Sequence, residues 1–145
     1  MMPLWKYNHA LFLVVIGALA WLVPGAGHFA LGERKRGVLI FVVLALTFVT
    51  GLYVGSIGVV DPVNAKPWFA AQLMNSPAVL LVGDRVADAY RLARQRNDPK
   101  LAYIVYGRAG EVGQIYTSIA GLLNLLCVVN AIYSAHLRAI EEAHA

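Results

Sequence analysis

One histidine, His28, stands in a glycine-rich stretch with a carboxylate and three cations close behind it: Pro24-Gly25-Ala26-Gly27-His28-Phe29-Ala30-Leu31-Gly32-Glu33-Arg34-Lys35-Arg36-Gly37. Imidazole titrates near neutrality, so His28 beside Glu33 suits a proton carrier, a headgroup ligand or a metal ligand. Gly25, Gly27 and Gly32 beside Arg34, Lys35 and Arg36 are residue types that can also hold a phosphate. A phosphate loop, however, needs a strand before its glycines and Gly-Lys-Ser/Thr after them, and this context has neither. One histidine makes a poor metal site, and His9, His136 and His144 stand at no ligand-like spacing from it. The plainer role for His28 is structural: bonding backbone carbonyls freed at a helix break.

A second group lies near the other end of the chain. Glu111, Gln114, Ser118, Gly121 and Asn124 recur at spacings of three and four, which gathers them on one helical face. With Asn130 they could line a polar path or a substrate cleft, because polar groups in a membrane span often mark function. The alternative is hydrogen-bonded glue between helices, with Glu111 at the interface. Gly-x-Ser-x-Gly, His-Glu-x-x-His and a catalytic carboxylate pair are all missing, so the expectation is no enzyme, no cofactor and no metal. Cys127 is the sole cysteine, which rules out an intramolecular disulfide and a Cys-rich metal site.

The elements that must position these groups are apolar. The 145 residues are 59% hydrophobic and 14% charged, against roughly 25% charged in an average soluble domain. Apolar residues fall into long uncharged runs, so lipid is the expected solvent. The predicted fold is all-α, a single polytopic membrane domain over 1–145. Three clear transmembrane helices are expected at about 10–31, 37–60 and 112–135, with a short fourth or re-entrant segment at 67–83. Residues 84–97 read as a basic amphipathic helix with a Val86, Ala89, Tyr90, Ala93 stripe. Trp5, Lys6 and Tyr7, and later Tyr103 and Tyr106, suit the headgroup layer.

Pro24 removes a backbone donor, so the first run should kink or stop near Val23. Its bend is expected to pack on neighbouring helices or to lie near the interface. Ala18-Leu19-Ala20 would serve as a signal cleavage site. Apolar sequence continues past it, so an uncleaved span is preferred. Gly51 and Gly55 form a GxxxG on one face of the second run, and Gly121 marks the small face of the last; both are expected to pack helices.

The formal charge of +4 reads as membrane bias, with no nucleic-acid partner, since the cations flank apolar runs without interleaved stacking aromatics. Four crossings with the N-terminus outside put nine Lys and Arg residues inside and three outside. That split is preferred over three crossings and places Arg34–Arg36 and the 84–97 helix in one compartment.

The pattern Gly25-x-Gly27-His28-Phe29-x-Leu31-Gly32-x-x-x-x-Gly37 between two apolar runs resembles the two-transmembrane hairpin domain family. The likeness covers roughly residues 10–60 and implies two spans joined by a short turn. Phe29 directly follows His28, and Ala30 stands where that family has Tyr, so its polar turn is incomplete. Lys66-Pro67-Trp68-Phe69-Ala70-Ala71-Gln72-Leu73 and Tyr116-Thr117-x-x-Ala120-Gly121-Leu122-Leu123-Asn124-Leu125-Leu126 resemble a small bacterial integral membrane protein family of unknown function, which implies no activity.

Three functions are expected of such a multi-pass protein of the cytoplasmic membrane. The first is a structural or accessory subunit, packing through its small-residue faces into a homo-oligomer or larger complex. The second is a small transporter or channel with a path at Glu111, Gln114 and Asn124. The third is a lipid-headgroup binder using His28 and Arg34–Arg36.

Overall fold

The last helix of the chain is the post on which the others are hung. The computed structural model describes residues 8–103 and 107–144. Trp5, Lys6, Tyr7 and Tyr106 lie outside the described residues, as do the side chains of Glu142 and His144. Among the described residues every regular element is a helix: α1 (His9–Leu22), α2 (Ala26–Ala30), α3 (Arg34–Gly55), α4 (Lys66–Leu73), α5 (Val79–Arg96) and α6 (Arg108–His144), with short 3-10 turns at Ile57–Val59 and Pro99–Leu101. Helix α6 packs against α1, α2, α3 and α4.

The first run is not one helix. Asn8 caps α1 by accepting from the Leu11 amide at 3.2 Å. Pro24 then stops the helix, which at 14 residues is only about 21 Å long against ~30 Å of hydrocarbon. Gly25 adopts φ +83, and the short α2 runs back the way α1 came. A Cβ on Gly25 would collide with the carbonyl of Gly37, so the bend is pressed against α3. At the end of α2, Gly32 (φ +84) closes a Schellman turn, with Glu33 N donating to the His28 carbonyl at 3.0 Å and Gly32 N to that of Phe29.

Contacts along α6 fix the levels. His9 stacks on His136, with ring centroids 5.1 Å apart. Ile16 and Ala20 share a core with Ala131 and Ala135, and Leu31 returns to that same core. Helix α1 thus descends from about residue 136 of α6 to about residue 124, and α2 climbs back. Helix α3 starts beside them and descends the whole way. Arg36 faces Asn130, and a Cβ on Gly51 would stand 2.7 Å from Thr117 and 2.9 Å from the carbonyl of Gly113. From the far end α4 climbs only to the same middle level, Trp68 meeting Ser118 and Asn75 meeting Asn124. Helix α5 turns back down, Gly83 against Phe69.

Among the described residues two helices, not three, are therefore long and apolar enough to cross a membrane: α3 and α6. The expected 67–83 segment is split between α4 and the first turn of α5, and the 84–97 helix is the continuation of α5. Of its stripe, Val86 and Ala93 are buried within the protein and Ala89 and Tyr90 half-buried. Asn97, in the left-handed region (φ 50), ends it. Arg34–Arg36 and Arg91 or Arg94 stand at opposite ends of α3, the latter beside Val63 and Asn64.

Candidate functional site

The α2–α3 turn gathers charge around His28. Its Nδ1 donates to Glu33 Oε2 at 3.1 Å. Arg138, arriving from α6, donates to Glu33 Oε1 at 2.6 Å and also to the Leu31 carbonyl. Arg36 meets Glu33 Oε2 at 3.4 Å and donates to Asn130 Oδ1 at 3.0 Å. Burial pushes the Glu33 carboxyl up, but the hydrogen bond from His28 and the charges of Arg138, His28 and Arg36 outweigh it and hold it below its ordinary value. Of the other cations, Arg34 lies 6.0 Å over the Phe29 ring and Lys35 is exposed.

His28 itself is 1% exposed, and its Nε2 has no partner. That atom belongs to a side chain lining a cleft of about 450 Å³ between α3 and α6. The polar end of the cleft is His28, Arg36 and Asn130; the rest is Leu39, Ile40, Val43, Leu44, Leu123, Leu126 and Cys127. With Nδ1–H committed to Glu33, a neutral ring offers Nε2 as an acceptor and an imidazolium offers a second N–H. His28, with this one unpartnered nitrogen, thus shares the polar end of an apolar slot with Arg36.

Three further predicted residues lie elsewhere. Glu111 and Gln114 line a polar hollow of about 360 Å³ at the opposite end of α6, with Asp61, Asn64 and Tyr90. Asp61 is already engaged, accepting from the amides of Val63 and Asn64 and from the Asn64 side chain. Asn124 is separate again: its Nδ2 donates to the carbonyls of Met74 (3.0 Å) and Asn75 (2.9 Å). Between them Gln72 donates to Thr117 Oγ1 at 2.8 Å and to the Val59 carbonyl at 3.0 Å.

The glycines are taken up inside the chain. Gly51 and Gly55 face Gly113 on α6, Gly121 faces the Ala71 carbonyl on α4, and Gly27 nests between Ala20 and Ala131. Sequence reasoning missed Gln72, Asn75 and Arg138 as site residues, since each finds its partner about fifty or more residues away or on a helix whose depth was unread. Only the polarity of Gln72 and Asn75 within an apolar run signals them. Among the described residues no three His, Cys, Asp or Glu side chains gather as a metal site.

A family model described as a family of unknown function (DUF6677) matches residues 15–143. No curated protein and no solved structure matches the chain.

Proposed function

We propose that this chain, which belongs to that family of unknown function, is a membrane protein whose α3–α6 cleft holds one lipid-like molecule. An acyl chain lies along the apolar walls and an anionic headgroup sits at Arg36, within reach of His28 Nε2. The single observation that carries this reading is the buried, unpartnered Nε2 of His28 at the polar end of an apolar slot. A buried polar atom without a partner costs about 1–3 kcal/mol, so a ligand that fills it gains that much relative to one that does not.

In this reading α3 and α6 cross the membrane, while α1–α2 and α4–α5 enter from opposite faces and turn back at mid-depth. Irregular backbone is tolerated there because it is enclosed by protein. The lipid-facing surface is supplied by side chains such as Leu39, Leu46, Val49, Leu126 and Val129, all more than half exposed. On a water-soluble chain, so continuous an apolar surface would be an aggregation site. The accessory-subunit reading has less to stand on, because its small-residue faces are engaged within the chain. A polar path has less too, because Asn124 is bonded into the packing, away from the hollow that Glu111 and Gln114 line.

Native mass spectrometry of the detergent-solubilised protein tests the cleft. Phosphatidylglycerol is expected to remain bound where phosphatidylcholine is lost. Arg36→Gln weakens retention about tenfold, the equivalent of one charge-assisted hydrogen bond. Lys35→Gln, which removes the same charge outside the cleft, leaves retention unchanged. Equal retention of the two lipids, or equal losses in the two variants, sinks the reading.

A further inference from the structure

A second apolar hollow lies on the other side of α3 from the His28 cleft. It holds about 380 Å³ and is walled by the Pro24 bend, by Phe41, Ala45 and Phe48 of α3 and by Val79 of α5. A smaller hollow of about 230 Å³ shares Pro24 and Phe41 with it and continues to Gly37. Together they form one groove beside α3 from Gly37 to Val49, about 18 Å at the helical rise. Its rim is open, since Val23, Phe41 and Val49 are exposed.

Two polar side chains, Asn75 and Ser76, stand among these apolar walls. Ser76 is already engaged: its hydroxyl donates to the Leu22 carbonyl at 2.8 Å and accepts from the Ala78 amide at 3.3 Å. Asn75 keeps its amide free. The residue is only 7% exposed, yet its Oδ1 has no partner and its Nδ2 donates to no described residue. Only its backbone is engaged, the amide with the Gln72 carbonyl and the carbonyl with Asn124. Turning the side chain over changes nothing, because both ends of it lack a partner.

Depth then restricts what can answer that amide. Phe41, Ala45 and Phe48 stand in the middle of α3 (Arg34–Gly55), and Asn75 meets Asn124 in the middle of α6 (Arg108–His144). With α3 across the bilayer, this level is the hydrocarbon centre, where water is scarce and an unpaired polar group is costly. A phospholipid keeps its charged headgroup at the interface, so its acyl chain could fill the groove but would leave the amide unpaired. We propose that the groove binds one uncharged long-chain alcohol, its hydroxyl at Asn75 and its chain along α3 towards Gly37. A hydroxyl both donates and accepts, so it pairs with whichever end of the amide is turned to it. This site needs α3 across the bilayer and nothing from the His28 cleft.

The full chain in phosphatidylcholine nanodiscs, titrated with tritiated hexadecanol or tritiated hexadecane against protein-free nanodiscs, tests this. The alcohol is expected to saturate at one molecule per chain and to bind about tenfold more tightly than the hydrocarbon. Asn75→Leu, close to the native volume, removes that preference and leaves hexadecane retention as it was, which separates a lost hydrogen bond from a lost fold. Ala45→Phe, which narrows the slot and keeps the amide, lowers retention of both probes. Uptake of the alcohol that never saturates, equal retention of alcohol and hydrocarbon, or a wild-type preference in Asn75→Leu overturns the assignment. Wild-type retention of hexadecanol by Ala45→Phe overturns it too, since the alcohol then sits elsewhere on the chain. Phosphatidylglycerol retention by the His28 cleft is read separately and changes with none of these outcomes.

Discussion

Arg138, close to the end of α6, donates to Glu33 at the head of α3 across 2.6 Å and 105 positions of sequence. Because Glu33 is held below its ordinary value of 4.5, its contribution to stability is complete above that value and drains away as pH falls through the lower folded one. Melting followed from about pH 7 to about pH 3 is expected to show this loss. In Glu33→Gln the acid limb flattens, and stability near neutrality drops by on the order of 1 kcal/mol. An unchanged acid limb in the variant refutes the assignment.

Gly25 and Gly32 share a positive φ, +83 and +84, but differ in what surrounds them. A methyl at Gly32 meets nothing within 4 Å, so Gly32→Ala carries only the backbone strain of about 1–2 kcal/mol. At Gly25 the same methyl also strikes the Gly37 carbonyl, so Gly25→Ala costs several times more. Denaturation of the two variants in one detergent gives the ratio, and equal costs contradict the packing of the bend on α3.

Gly121→Ala drives a Cβ into the Ala71 carbonyl and must displace α4 from α6. The expected loss is about 1–3 kcal/mol, typical of overpacking. Faster proteolysis within α4 and α5 should accompany it, with α3 still protected.

Asn124→Leu keeps the side-chain volume roughly constant and removes the donor for the Met74 and Asn75 carbonyls. Two orphaned carbonyls at about 1–3 kcal/mol each outweigh the gain from an apolar side chain. Gln114→Leu, at a half-buried position facing the polar hollow, changes stability by less than about 1 kcal/mol. Chemical denaturation that ranks these two the other way round removes Asn124 from the centre of the fold.

Lys35→Cys and Arg91→Cys, each in a Cys127→Ser background, report on α3. A membrane-impermeant maleimide is expected to label the two from opposite sides of the bilayer. Labelling from one side restores the four-crossing arrangement.

Much of the architecture was legible in the residues. The charge-free runs gave α3 and α6, the Val86–Ala93 stripe gave the buried face of α5, and Pro24 marked where α1 stops. Depth was not legible. Hydropathy records whether a side chain tolerates lipid, not how far the helix goes in, so α1 read as a full crossing and α2 was absorbed into it. The His28 cluster was half visible: Glu33 and Arg36 are neighbours in sequence, but Arg138 and Asn130 reach it only through the antiparallel pairing of α3 with α6. Least visible was the place of Asn75, whose backbone carbonyl accepts from Asn124, a contact that no side-chain pattern encodes.

The hub of this molecule is made after every helix that packs on it. Before residue 108 emerges, α1 and α4 have no Asn124 to answer their carbonyls, α3 has no Gly113 to lie against, and Glu33 has no Arg138. The helices ahead of α6 therefore wait without these partners, and their contacts with α6 close in one late event that any truncation ahead of it forestalls.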